Sequence, residues 1–135
     1  MRLKNPMTVA GWGVTKEGSY NLATVLQEVS LPVVSSAACK SVHGKGDITD
    51  NMLCAGGVKG QDACQVENYF NVQISTYYWC QGDSGGPLMG DHPDTDQSYL
   101  AGVVSWGIGC AREGLYGVYA KVSRYEDWIQ RNINS

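Results

Sequence analysis

The sequence has no run of consecutive apolar residues approaching the roughly 18 that a membrane-spanning helix requires, so no span is expected. The opening residues, Met1-Arg2-Leu3-Lys4-Asn5-Pro6, lead into no apolar stretch, and no signal peptide is expected here. Positive charge is also scarce. The 10 Lys and Arg are outnumbered by 13 Asp and Glu, giving a net charge of −3, and they are unclustered. A phosphate backbone would meet no basic surface, which argues against nucleic acid as a partner. Cysteine spacing excludes a further class. Cys39, Cys54, Cys64, Cys80 and Cys110 offer none of the paired short steps of a zinc site. Neither a metal nor a cofactor is expected. Disulfides are the better reading, and they imply an oxidising compartment, usually outside the cell. The odd count leaves one thiol unpaired.

What remains is an ordinary globular composition. A chain of 135 residues, 43% hydrophobic and 17% charged, suits one domain with a single core. Its 17 glycines and short alternating segments point to many strands joined by tight turns. Candidate strands are Thr8–Ala10, Val25–Val34, Met52–Ala55, Leu100–Trp106 and Gly117–Val122. In the second, Val25, Val29, Leu31 and Val33 share one face, as a half-buried strand requires. Pro32 has no amide hydrogen, so this strand pairs on one edge there or ends nearby. The Gly90–Ser98 segment is acidic and polar. Asp91, Asp94 and Asp96 lack the pattern of an EF-hand loop, and a solvated hairpin loop is the expectation. Near the end, Ser123-Arg124-Tyr125-Glu126 predicts a capping box. Tyr125, Trp128, Ile129 and Ile133 then form an apolar helical stripe expected to dock on a sheet. The fold class is mostly β with a terminal helix.

Chemistry concentrates in Gly82-Asp83-Ser84-Gly85-Gly86-Pro87. A serine hydroxyl is a poor nucleophile until a base removes its proton and donors stabilise the oxyanion that follows. Flanking glycines let the backbone turn sharply, approach a substrate carbonyl and leave amide hydrogens unshielded. A glycine-rich turn with an incidental serine is the plain alternative. The stretch also fits the looser G-x-S-x-G pattern, but that elbow needs a following helix and a distant downstream histidine. Here Pro87 and a polar loop follow, and His92 is the only downstream histidine.

The chain resembles the chymotrypsin/trypsin family of serine proteases, the general template for triad chemistry. Six ordered segments carry the resemblance: Ala10-Gly11-Trp12-Gly13, Asn51-Met52-Leu53-Cys54-Ala55-Gly56, the Gly82–Pro87 stretch, Val104-Ser105-Trp106-Gly107, Gly109-Cys110-Ala111-Arg112 with Gly117-Val118-Tyr119, and Tyr125-Glu126-Asp127-Trp128-Ile129. The resemblance implies a Cys39–Cys54 disulfide, Ser84 as nucleophile and the amides of Gly82 and Ser84 as oxyanion hole. It implies that Asp83 pairs with a new N-terminus created by zymogen cleavage. It gives Asp62 the pocket floor that selects Arg or Lys by charge, although a solvated loop aspartate is the alternative. Ser105, Trp106, Gly107 and Gly117 would bind substrate, the two glycines keeping the pocket open.

Departures from the family pattern shape the expectation for this chain. Neither His43 nor His92 has the surroundings of the triad histidine, and His43 reads as a solvated loop residue between Cys39 and Cys54. The triad His and Asp would belong to an N-terminal barrel outside this sequence, so the chain alone is expected to turn over little or nothing. An insert of 16 residues, about 66–81, precedes the nucleophile, with Cys-Gln at both of its borders. Deleting 64–79 or 66–81 restores the same string, GQDACQGDSGGP, as an alternative exon boundary or a mis-joined sequence would. If Cys64 pairs with Cys110, Asp62 keeps its place and the insert loops out. If Cys80 does, Tyr78 takes the pocket floor. Met7 and Gly90 replace a further cysteine pair that family members often carry.

The expected architecture is a six-stranded antiparallel Greek-key β-barrel with a C-terminal α-helix, residues 1–135 forming the second barrel of a secreted trypsin-like protease. Its partners would be a peptide or protein substrate and the N-terminal barrel. The rival readings are a catalytically dead peptide-binding module and a non-functional truncated splice product.

Overall fold

A computed structural model describes residues 5–14, 20–58, 82–107 and 114–135. The strands are β1 (Met7–Gly11), β2 (Gln27–Leu31), β3 (Val33–Val34), β4 (Met52–Gly56), β5 (Pro87–Asp91), β6 (Ser98–Gly107) and β7 (Tyr116–Lys121). Among the described residues there are also two helices, α1 (Ser36–His43) and α2 (Glu126–Ile133), the second preceded by a 3-10 turn over Val122–Arg124. All strands belong to one antiparallel sheet in the order β2-β1-β5-β6-β7-β4-β3.

The two ends of that order, β2 and β3, are consecutive in the chain, joined only through Pro32. Proline offers no ladder donor, so the single strand expected over Val25–Val34 breaks there and its halves pair with opposite ends of the sheet. The Pro32 carbonyl still accepts from the Gly56 amide at 3.0 Å. The sheet thereby closes on itself almost completely, which removes exposed edges. Six expected strands become seven for this reason.

Alternation sends one face of each strand inward. Val9, Leu31, Val33, Ala55, Leu88 and Tyr119 fill the barrel, all at most 3% exposed. A second cluster of Cys39, Ile48, Cys54 and Val118 lies under α1. Val25, read as part of the inward face, precedes β2 and is exposed. The Gly90–Ser98 segment is the expected solvated hairpin: Asp91 pairs with Ser98 across β5 and β6, and the turn between them is exposed. Tyr99 packs its ring over Gly90, where a Cβ would meet the ring at 2.7 Å.

The helices depart from expectation. α1 lies in a stretch expected to be loop, yet its signals are present. The Ser35 side chain accepts from the Ala38 amide at 3.2 Å, and Gly44, with φ +93°, ends the helix. Over α2 the predicted capping box does not form. Ser123 is taken up in the 3-10 turn, Tyr125 is the N-cap, and no side chain caps it. The first turn relies instead on Glu126 and Asp127, whose charge suits a helix N-terminus. Nor does the stripe dock on the sheet as expected. Tyr125, Trp128 and Ile133 are exposed, and only Ile129 is half-buried. Arg124 ties the start of this segment to the barrel by donating from Nε to the Asp50 carbonyl at 3.2 Å.

Candidate active site

The Gly82–Pro87 stretch holds a tight turn stitched to β6. The Gly86 amide donates to the Asp83 carbonyl at 2.9 Å, enclosing Ser84 and Gly85 as central residues. Gly85 has φ +83°, the left-handed value that the third position of a type II turn requires. The Gly85 amide donates to the Val104 carbonyl, and the Val104 amide donates to the Gly86 carbonyl, both at 2.9 Å. Ser84 therefore stands exposed at the tip of a turn whose two sides are clamped. Among the described residues, the Gly82 and Ser84 amides donate to no acceptor.

Asp83 points the other way and is 5% exposed. Its Oδ1 accepts from the Gly13 amide at 2.7 Å, although 70 residues separate the two. A Cβ on either Gly11 or Gly13 would collide with this carboxylate, so both glycines are needed for the approach. Burial raises the Asp83 pKa above its ordinary value, and the Gly13 hydrogen bond partly offsets that rise. Nothing in the residue types of Gly11-Trp12-Gly13 names Asp83 as their partner. The two glycines flanking Trp12 were the available signal.

Beyond Val104, β6 bulges. Val104 faces Tyr119 and Trp106 faces Val118, leaving the exposed Ser105 as the extra residue. A bulge re-aims the side chains that follow it. Gly107 then pairs with Gly117, where a Cβ on Gly107 would lie 3.4 Å from the Gly117 Cα. One strand thus carries the clamp on the Ser84 turn and, two residues later, the wall formed by Trp106, Gly107 and Gly117. Among the residues predicted as functional, Ser84, Asp83, Trp106, Gly107 and Gly117 are organised by β6 and its neighbours. Asp62, Cys64, Cys80, Cys110 and the insert at about 66–81 lie outside the described residues.

The Cys39–Cys54 disulfide forms as expected, joining α1 to β4. His43 corrects an expectation. It is not a solvated loop residue but a buried one, 7% exposed, with Nε2 2.8 Å from the Tyr116 carbonyl oxygen. It packs behind the wall because α1 ends against β6 and β7, and no local sequence signal announces that. His92 sits in the β5–β6 turn, beyond the far end of β5 from Ser84. The length of that strand alone sets roughly 14 Å between its ends. Neither histidine is presented to Ser84 as a base.

Among the described residues, no helix is long and apolar enough to cross a membrane. The model of the trypsin family matches the chain over residues 2–67 and 66–129, two segments that meet at the border of the insert. Trypsin-1 of Astacus astacus is 47% identical over 92% of the chain and 45% of its own length. Trypsin II-P29 of Gallus gallus is 40% identical over 93% of the chain and 42% of its own length. Coagulation factor XII of Rattus norvegicus is 44% identical over 92% of the chain and 19% of its own length. The chain spans less than half the length of each.

Proposed function

Since the chain belongs to the trypsin family, we propose that it is the nucleophile-bearing barrel of a secreted serine endopeptidase whose base is supplied by a second barrel. The observation that carries this reading is the Asp83–Gly86 turn, which holds Ser84 exposed while both of its sides are bonded to Val104. In this reading Ser84 Oγ attacks the substrate carbonyl as the partner's imidazole takes its proton. The Gly82 and Ser84 amides face the oxyanion that develops. The imidazolium gives that proton to the leaving amine as the C–N bond breaks, and water, deprotonated by the same base, then attacks the resulting ester and releases Ser84. Peptide backbone lies along β6 at Ser105–Gly107, and the chain before the scissile bond ends in Arg or Lys directed at Asp62. Asp83, buried beside Gly13 and without a positive partner among the described residues, is the counter-charge for an amine delivered after activation.

Two further features support a missing partner. Trp12, Leu22, Val25 and Leu26, together with the α2 stripe, leave large apolar side chains in water, and such exposure marks interaction surfaces. The relatives named above also continue over more than twice this length. The Cys39–Cys54 disulfide supports an extracellular setting. In the same reading Cys110 pairs with Cys64 or Cys80, and the remaining thiol is free.

The test is labelling by a fluorophosphonate, which reacts only with an activated serine. The chain alone should label at background. Adding the separately produced first barrel of a trypsin-family protein should produce labelling that Ser84→Ala abolishes. A chain that binds that barrel and still fails to label would overturn the protease reading and favour a peptide-binding module.

A further inference from the structure

Two glycines bracket an exposed lysine in the segment that leads from α1 to β4. Gly44 ends α1, and Lys45, Gly46 and Asp47 form a turn in which every residue is exposed. Among the described residues, neither Lys45 nor Gly46 makes a backbone hydrogen bond, and the Lys45 ammonium has no ion-pair partner. A Cβ at Gly46 would have no heavy atom within 4 Å, so space is open beside the bond that joins the two residues.

The other cations among the described residues are placed differently. Lys40 lies in α1, Lys121 in β7, Arg124 in the 3-10 turn and Arg131 in α2. A protease cleft takes its substrate as an extended single strand, so a bond inside a helix or a sheet must first open locally to be cut. The Lys45–Gly46 bond needs no such opening, and exposed turns of small and polar residues are the preferred places for a nick. What flanks the turn is anchored on both sides. Before it, His43 is buried and Cys39 is bonded to Cys54. After it, Ile48 is buried, the Asp50 carbonyl accepts from Arg124 Nε at 3.2 Å, and the Asn51 carbonyl accepts from the Lys121 amide at 2.8 Å. Cys39 and Cys54 also stand on opposite sides of the bond, so their disulfide joins the two pieces that a cut leaves.

We propose that Lys45–Gly46 is a processing site for a protease that cuts after lysine, and that the product is a folded two-chain form linked by Cys39–Cys54. In the cut, the hydroxyl of water goes to the Lys45 carbonyl carbon, the C–N bond breaks, and the Gly46 nitrogen leaves as an amine carrying the remaining proton. The proposal makes this chain a substrate and does not depend on the reading of Ser84.

The full 135-residue chain, its disulfide intact, is exposed to a lysine-specific endoproteinase under native conditions, and new chain ends are counted by mass spectrometry. Ends that begin at Gly46 should appear at least about tenfold faster than ends that follow Lys40 or Lys121. The fragments carrying Cys39 and Cys54 should be recovered as one species until a reductant separates them. Near-UV circular dichroism should survive completion of the cut, with a Lys45→Gln chain treated in parallel to isolate the effect of this bond. Comparable rates at the three lysines would overturn the site. Loss of the near-UV signal in the parent but not in Lys45→Gln would overturn the two-chain form, the bond then being an entry point for degradation.

Discussion

α1 and α2 are each eight residues long and are held in opposite ways. α1 has a side-chain cap at its start, a glycine at its end, a disulfide to β4 and two buried residues, Cys39 and His43. α2 has no side-chain cap, no buried residue and an apolar stripe facing water. The first helix is finished by contacts within this barrel. The second carries the amphipathic pattern of a packed helix without the surface to pack on. Most helical stability in proteins comes from burying such a face rather than from propensity. The contrast therefore separates the helix whose face this barrel covers from the one whose face it leaves exposed.

Opening the disulfide should disturb the contrast most. Cys39 and Cys54 are 15 residues apart, and for a loop of that length a Cys54→Ala, Cys39→Ala double variant should lose about 3 kcal/mol of stability in denaturant unfolding. Ser35→Ala should cost about 1 kcal/mol through loss of the α1 cap, measured the same way. Asp83→Asn tests the Ser84 turn. The Asp83 pKa is raised in the folded chain, so its contribution to stability is fully present below its ordinary value near 3.8. That contribution is lost as pH rises through the folded value. The amide variant should therefore be more stable than the parent at neutral pH, and this advantage should vanish in acid. Equal pH profiles would show that another cation already compensates Asp83. Trp128→Ala should be the mildest, within about 0.5 kcal/mol in the chain alone, because the ring is already in water. In the presence of a complementing barrel the same change should weaken association, and a titration of the two parts would read it.

Several features were legible because they depend on a few adjacent residues. The Ser84 turn is one: Gly85 can adopt a positive φ that other residues resist, so the tight turn is written into Ser84-Gly85-Gly86 itself. The strand break at Pro32 is another, since a missing amide hydrogen needs no tertiary context to act. α1 was equally available from Ser35 and Gly44, but its mixed composition gave no apolar period to draw attention to it. The capping box at Ser123 shows the reverse error. Its residue types were right, and the path of the chain leaving β7 turned Ser123 into a 3-10 turn instead.

What the sequence determined alone is therefore local or covalent in character: the family, the serine turn, the proline break and the pair of cysteines able to join α1 to β4. Tertiary structure decided which distant groups meet. Only the antiparallel pairing of β1 with β5 brings Gly13 to Asp83 across 70 residues, and only the seat of α1 carries His43 beneath Trp106 and Tyr116. Backbone conformational limits act within a few bonds and leave a signature in residue type. Packing contacts depend on how whole strands register, and no short stretch of sequence contains that information.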